Sequence, residues 1–251
     1  MKTIASTALP AHVQQPRYDR EQLRSRIVHF GFGAFHRAHQ ALLTNRVLNA
    51  RGGDWGICEI SLFSGDVLMR QLRAQDHLFT VLEKGAEGNQ PIIIGAVKEC
   101  LNAKLDSLAA IIEKFCEPQV AIVSLTITEK GYCIDPATGK LDMQNSRILH
   151  DLEHPSEPHS APGILVEALH RRRERGLPAF TVLSCDNIPD NGHVVKNAVL
   201  GMAGKRSAAL AGWIEAHVSF PGTMVDRIVP AATDASLAEI ARELGVEDPC
   251  A

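Results

Sequence analysis

A short apolar strand that runs directly into a pair of glycines is the feature that most constrains this fold. Residues 27–30 read Ile-Val-His-Phe, and Gly-Phe-Gly-Ala-Phe-His-Arg follows before a helical pattern begins. Gly31 permits a tight turn, and Gly33 lets the backbone come close to a ligand. A helix that starts here presents free N–H groups, which suit a pyrophosphate. His36 replaces the third glycine of the usual fingerprint, and an ordinary strand-to-helix turn also fits the pattern.

Strand and helix patterns alternate along the rest of the chain. Nearly continuous apolar runs at 120–127 and 179–185 are typical of parallel strands buried on both faces. The sequence therefore predicts a Rossmann-type α/β fold, with a doubly wound, mainly parallel sheet and added helices. Residues 1–25 read as an N-terminal extension that packs late or stays mobile, and a nucleotide-binding domain is predicted over 26–251. The predicted strands are 27–30, 55–62, 79–83, 91–99, 120–127 and 179–185.

The composition excludes several classes of function. Of the 251 residues, 45% are hydrophobic and 22% are charged, which suits a globular protein with a sizeable core. A net charge of −3 gives no electrostatic basis for binding nucleic acid or an anionic membrane. No apolar stretch approaches the ~20 residues needed to cross a bilayer, and no secretory signal is visible. Six scattered cysteines without a C-x-x-C pair suit a reducing compartment, so we expect a cytoplasmic protein.

Two clusters of charged or metal-binding residue types have ordinary explanations. The basic run at 171–175 is interrupted by an acid within a helical pattern, and it reads as a solvated helix face. His150, His154 and His159 share a segment that contains two prolines and lacks cysteine. We expect solvated loop histidines there and no metal site. The chain has neither a G-x-x-x-x-G-K-[ST] phosphate loop nor a Tyr-x-x-x-Lys pair, which excludes two further classes of nucleotide-using protein.

Polar residues follow the predicted strands at the positions where open α/β sheets bind their ligands. Residues 126–132 follow one buried strand, and 184–187 follow the next. The amide of Asn187 could donate to a developing alkoxide or carbonyl oxygen, and the alternative explanation for both segments is turn chemistry. An acid after the second strand should bind the adenosine ribose. Glu59 has the closer spacing, but Asp66 follows the strand end and is favoured.

Together these segments resemble the polyol-specific long-chain dehydrogenases, the family of mannitol dehydrogenase and fructuronate reductase. The stretch Val225-Asp226-Arg227-Ile228 is close to a family signature, and details such as Thr128-Glu-Lys-Gly-Tyr132 are more similar to the fructuronate reductase (D-mannonate oxidoreductase) branch. The matching segments are 31–40, 55–58, 124–132, 184–187 and 220–230.

The resemblance implies a zinc-independent, NAD-linked interconversion of a secondary alcohol and a ketone on an open-chain sugar acid or polyol, of the D-mannonate/D-fructuronate type. It implies that Asn187 binds the oxyanion, that Glu129 lies near the substrate entrance and that Asp226 is the active-site aspartate. Asp66 would bind the ribose, and an acid there would favour NAD over NADP by repelling a 2′-phosphate. The other cofactor-binding residues implied are Ile27, Gly31, Phe32, Gly33, Ala34, Phe35, His36 and Arg37.

Members of this family are longer than this chain. Their mainly helical C-terminal domain supplies the catalytic lysine, and the resemblance implies that this chain corresponds to the cofactor-binding half, with the C-terminal catalytic domain missing. The expected small-molecule partner is a sugar acid or polyol. The alternative is a catalytically inactive NAD(H)-binding module or a remnant of such an enzyme.

Overall fold

The structure is a computed structural model that describes residues 3–62, 64–86, 88–225 and 227–251. The chain divides into two compact units. Unit 1 comprises 1–26, 32–105 and 227–251, and unit 2 comprises 27–31 and 106–226. The strands are β1 (Arg24–Phe30), β2 (Trp55–Ser61), β3 (Phe79–Gly85), β4 (Gly88–Ile94), β5 (Val97–Asn102), β6 (Ile122–Leu125), β7 (Ile134–Asp135), β8 (Lys140–Leu141) and β9 (Thr181–Ser184).

The helices account for most of the remaining chain. A π-helical turn, Arg37–Ala41, joins the first two of them into one continuous helical run, and 3₁₀ turns occur at Arg20–Gln22 and Glu129–Tyr132. The α-helices are α1 (Ala34–His36), α2 (Leu42–Arg51), α3 (Asp66–Ala74), α4 (Ala103–Asp106), α5 (Leu108–Phe115), α6 (Ser146–Glu153), α7 (Ala161–Glu174), α8 (Asn191–Arg206), α9 (Ala208–His217) and α10 (Asp234–Leu244).

Unit 2 is built on three parallel strands. Strand β6 pairs in parallel with the C-terminal part of β1 on one side and with β9 on the other. Val123 of β6 lies opposite Val28 of β1 and Val182 of β9, and all three side chains are fully buried. Helices α5, α7 and α8 pack against one another beside these strands. Burial on both faces explains the continuous apolar runs in the sequence.

Unit 1 contains the parallel pair β2–β5 and the antiparallel hairpin β3–β4. The strand predicted at 91–99 is wrong as a single element, because the chain leaves β4 at Ile94 and enters β5 at Val97. At this break the Arg20 side chain donates a hydrogen bond to the Gly95 carbonyl, 3.1 Å away. A Cβ at Gly95 would lie 2.7 Å from Pro16, so the close approach requires glycine.

The N-terminal segment takes part in the core of unit 1. Ile4 and Val13 are buried in one cluster with Ile93, Ile240 and Leu244. The backbone N–H of Gln14 also donates to the Pro91 carbonyl at 3.0 Å. The described part of the segment that the sequence assigned to a tail is therefore packed against the β3–β4 hairpin and α10.

The basic run at 171–175 is not a uniformly solvated face. Arg172 is fully buried, and its guanidinium donates to the carbonyls of Phe115, Glu117 and Pro178 at 2.7, 2.9 and 2.7 Å. The last carbonyls of a helix have no partner within the helix, so a buried arginine that reaches the end of α5 satisfies them. The prediction was wrong for Arg172 because two of these acceptors, Phe115 and Glu117, lie 57 and 55 residues away in the sequence.

The predicted fold class is confirmed, and the errors concern local detail. The segment 134–162, which carries the three histidines, contains the β7–β8 pair and α6. His150 lies on α6 and stacks on the ring of His159, with the ring centroids 3.8 Å apart. All six cysteines are buried free thiols. Among the described residues, no helix has the length and apolar character needed to cross a bilayer.

Candidate nucleotide-binding site

Gly31 makes the turn at the carboxyl end of β1. Its φ angle is +105°, a conformation that side chains disfavour. A Cβ at Gly31 would lie 2.4 Å from the carbonyl oxygen of Thr126, while the Thr126 N–H donates to the Phe30 carbonyl at 2.9 Å. The loop after β6 is therefore packed directly against this turn. The fold of unit 2 requires glycine at 31 whether or not a ligand binds.

Gly33 differs from Gly31 because the fold places no such demand on it. It is the N-cap of the helical run, with a φ of −83°, and no described atom lies within 4 Å of the position that a Cβ would take. No side-chain hydrogen bond caps the helix at this residue in the described structure. Backbone donors at the start of a helix carry a partial positive charge and suit an anion. The geometry thus leaves open space beside these donors.

Arg37 lies one turn into the same helical run. Its guanidinium donates to the Phe32 carbonyl at 3.1 Å and stacks over the Phe32 ring, 5.2 Å from its centroid. Burial lowers the pKa of Arg37, because the charged form loses hydration, but an arginine still stays protonated near neutral pH. Arg37 also lines a cleft of about 850 Å³ within unit 1. The side chain therefore holds the turn and brings a positive charge to the cleft.

His36 and Glu59 form a fully buried pair. The His36 Nε2 atom lies 2.7 Å from a carboxylate oxygen of Glu59. Burial lowers the pKa of His36 to about 3, because the imidazolium would lose its hydration, and Arg37 and His39 add repulsion. Glu59 is the acid with the closer spacing for ribose binding, but its side chain lies in the interior. Any contact of His36 with a cofactor would therefore involve its backbone.

Asp66 occupies the turn between β2 and α3. Gly65 makes this turn with a φ of +77°, and Asp66 is the first residue of α3. The Lys104 ammonium lies 3.2 Å from the Asp66 carboxylate and lowers its pKa by donating a hydrogen bond. Both side chains are partly exposed. Asp66 thus carries a charged, accessible carboxylate at the position that the sequence favoured.

Asp186 joins two loops at the carboxyl edge of the unit 2 strands. Its carboxylate accepts hydrogen bonds from the backbone N–H groups of Ile127 and Thr128, each at 3.0 Å. It also accepts a hydrogen bond of 2.6 Å from the Tyr132 hydroxyl, which lies 2.7 Å from the Ser184 hydroxyl. Burial and the nearby Asp186 charge raise the pKa of Tyr132. The loop after β6 is therefore tied to the loop after β9.

Glu129 and Asn187 lie on these two tied loops, and both are exposed. Glu129 begins the 3₁₀ turn Glu129–Tyr132, directly after Thr128, whose φ is +64°. Asp226 lies outside the described residues. The sequence motifs indicated both loops but did not identify Asp186 as the residue whose hydrogen bonds connect them. The four-residue segment 184–187 carries no signal that separates a buried acid from an exposed amide.

The cleft in unit 1 is lined mainly by the first turns of the helical run, the β3–β4 hairpin and the segment 227–233. Residues of α10 and Ala251 complete the lining. Arg227 in that segment forms an ion pair of 2.7 Å with Glu83 of the hairpin. Asp226 and Arg227 lie between apolar residues in the sequence, which predicts buried or half-buried charges and, as the ordinary explanation, a structural Asp–Arg ion pair. The described partner of Arg227 is Glu83 of the hairpin, and the sequence around Arg227 does not indicate this partner.

The parallel strands and the glycine turn at the carboxyl end of β1 define a Rossmann-type nucleotide-binding domain. Residues 25–251 match the model of the mannitol dehydrogenase Rossmann domain, and the chain belongs to that family. The resemblance inferred from the sequence motifs is confirmed.

Three similar proteins extend this assignment. The chain is 84% identical over 251 residues to the uncharacterized oxidoreductase YeiQ of Escherichia coli, covering all of this chain and 51% of that protein. It is 56% identical over 253 residues to the D-mannonate oxidoreductase of E. coli, covering 100% of this chain and 52% of that protein. The mannitol 2-dehydrogenase of Pseudomonas fluorescens, solved as a ternary complex with NAD and D-mannitol, matches with a TM-score of 0.92 and 44% identity, over 96% of this chain and 49% of that one. The chain spans about half the length of the relatives it matches.

Proposed function

We propose that this chain is the cofactor-binding part of an NAD-dependent oxidoreductase that interconverts a secondary alcohol and a ketone on an open-chain sugar acid or polyol. The observation that carries the proposal is the contrast between the two glycines. The fold requires Gly31, whereas Gly33 leaves open space beside the first donors of the helical run. That space suits a pyrophosphate. The P. fluorescens relative with NAD and D-mannitol supports this choice of ligand.

The proposed roles of the other residues come from the family resemblance. Residues 31–37 would hold the pyrophosphate with backbone groups, with Ile27 in the strand below, and Asp66 would accept hydrogen bonds from the adenosine ribose. Asn187 would donate to the substrate oxygen, and Glu129 would lie near the substrate entrance, with Asp226 as a further active-site acid. Bound NAD would supply a hydride acceptor at its nicotinamide ring. The identity with D-mannonate oxidoreductase favours a sugar acid of the mannonate or fructuronate type over a polyol.

Replacing Gly33 tests the proposal with little effect on the fold. Because no described atom lies within 4 Å of the added methyl group, Gly33→Ala should fold with an unchanged thermal midpoint. It should nevertheless weaken NADH binding by about tenfold or more, because the methyl group fills the space that the pyrophosphate needs. Fluorescence titration with NADH measures the affinity.

Two control variants make the result specific. Gly212→Ala also adds a methyl group in open space, on α9; it should raise stability slightly, because alanine favours a helix over glycine, and should leave NADH affinity unchanged. Gly31→Ala should lose stability, because its Cβ would meet the Thr126 carbonyl. Equal NADH affinity of wild type and Gly33→Ala, or no saturable binding by the wild type, would rule out the proposed site.

A further inference from the structure

We infer that Lys104 determines the cofactor specificity of this domain at the 2′ position of the adenosine ribose, so that the domain binds NADP(H) as well as NAD(H). The inference rests on the proposed function, in which Asp66 meets the ribose. The Lys104 ammonium lies 3.2 Å from the Asp66 carboxylate, with 56% of the lysine side chain and 33% of the aspartate side chain exposed. A ligand group that reaches Asp66 therefore also reaches Lys104.

The fold holds Lys104 beside the turn that carries Asp66. Asn102, the last residue of β5, is fully buried. Its side-chain amide donates to the Ser64 carbonyl at 3.0 Å, and its side-chain oxygen accepts from the Lys104 backbone N–H at 2.9 Å. One buried side chain thus fixes both the turn that precedes Asp66 and the start of α4. The proximity of Lys104 and Asp66 is built into the β2–β5 pair.

The charges at this turn differ from those of an isolated acid. An acid alone accepts hydrogen bonds from ribose hydroxyls and repels a 2′-phosphate, whereas a nearby cation accommodates that phosphate. Here Lys104 offsets the charge of Asp66, and Arg70, one turn further along α3, also acts on the Asp66 carboxylate. Lys104 is thus the cation whose position beside the Asp66 carboxylate the structure gives directly. The flexible lysine stem allows the ammonium to move from the carboxylate to a phosphate oxygen.

The test compares NADH and NADPH by fluorescence titration at low and moderate salt, for wild type and for single variants. Wild type should bind the two cofactors within about tenfold of each other. Lys104→Gln should weaken NADPH by about five- to tenfold and leave NADH within about twofold, because it removes one charge a few ångströms from the phosphate. Lys104→Arg should keep NADPH binding, and the loss in Lys104→Gln should shrink as salt rises.

Two further variants complete the comparison. Asp66→Asn should tighten NADPH and weaken NADH, because repulsion of the phosphate and acceptance from the ribose both decrease. Lys98→Gln removes another ion-paired lysine of unit 1, whose partner is Glu21, and should change neither affinity. Thermal midpoints equal to wild type would show that all variants fold.

The outcomes separate the inference from the function on which it rests. Saturable NADH binding with no measurable NADPH binding by the wild type, or an unchanged NADPH affinity in Lys104→Gln, would overturn the role of Lys104 and leave the proposed function standing. If the wild type binds neither cofactor, the proposed function fails, and the inference fails with it.

Discussion

At the scale of single residues, the side chains next to the glycine turn are already engaged in contacts within the fold. His36 follows the glycine turn but points into the interior, where it contacts Glu59 at 2.7 Å. Arg37 uses its guanidinium to hold the Phe32 carbonyl. The part of this segment left for a ligand is chiefly backbone, together with the open side of Gly33. A pyrophosphate site built from backbone donors is compatible with these side-chain contacts, because it needs few side chains.

The buried His36 should make stability depend on pH. Its folded pKa of about 3 lies below the ordinary histidine pKa of 6.5. As pH falls below 6.5, the unfolded chain takes up a proton that the folded chain refuses until about pH 3, so His36 lowers the free energy of unfolding across this window.

Urea unfolding of wild type and His36→Gln at several pH values between 7 and 4 measures this effect. The wild type should lose up to about 1.4 kcal/mol per pH unit more than the variant below pH 6.5. Parallel pH profiles for the two proteins would show that His36 is not buried in its neutral form.

At the scale of elements, the strand ends are organised by contacts between loops. Asp186 accepts two backbone N–H groups from the loop after β6 and the hydroxyl of Tyr132. Thr128 and Cys133 in this loop have positive φ angles, which cost free energy unless other contacts hold them. We interpret Asp186 as the residue that keeps Glu129 and Asn187 on adjacent loops.

Replacing Asp186 should therefore destabilise unit 2. Asp186→Asn keeps the shape but exchanges one acceptor oxygen for a donor that faces other donors, and it should cost about 2 kcal/mol in the free energy of unfolding. Asp190→Asn, on the exposed turn before α8, should change it by less than about 0.5 kcal/mol. Urea unfolding gives both values. Equal losses in the two variants would show that Asp186 does not hold the loops together.

At the scale of the whole molecule, the family relationship and the span of the chain determine what activity to expect. The relatives are oxidoreductases by name, and this chain covers about half of each. The family resemblance assigns the catalytic lysine to the C-terminal half of those relatives. We therefore expect residues 1–251 to bind NADH but to turn over slowly.

Measuring NADH oxidation with fructuronate tests this expectation. The rate for residues 1–251 should be far below that of E. coli D-mannonate oxidoreductase at equal concentration, and it should rise when the C-terminal half of that relative is supplied in trans. A rate equal to that of the complete relative would contradict a role for the lysine that the resemblance assigns to the C-terminal half of the relatives. Binding without turnover under both conditions would favour the alternative of an NAD(H)-binding module.

Much of the fold was predictable because its signals are local in the chain. A four-residue apolar run, two glycines and a helical pattern define the β1 turn, and buried parallel strands appear as continuous apolar segments. The motifs identified the family. The position after the strand end favoured Asp66 over Glu59 as the ribose-binding acid, although Glu59 has the closer spacing, and the structure places Asp66 in an accessible turn and Glu59 in the interior. The bounds of an element could not be predicted where a tertiary contact interrupts the sequence pattern, as at Gly95.

The sequence by itself determined the fold class, the family and the turn around Gly31, since each depends on residue types at short spacing. Only the tertiary structure decided which side chains, distant in the sequence, contact one another. Lys104 meets Asp66 across 38 residues, Asp186 meets Ile127 across 59, and Arg172 reaches Phe115 across 57. The first two pairs form because parallel strands bring distant segments to one edge of a sheet, and the third forms where α7 packs against α5. No periodicity along the chain records which segments become neighbours.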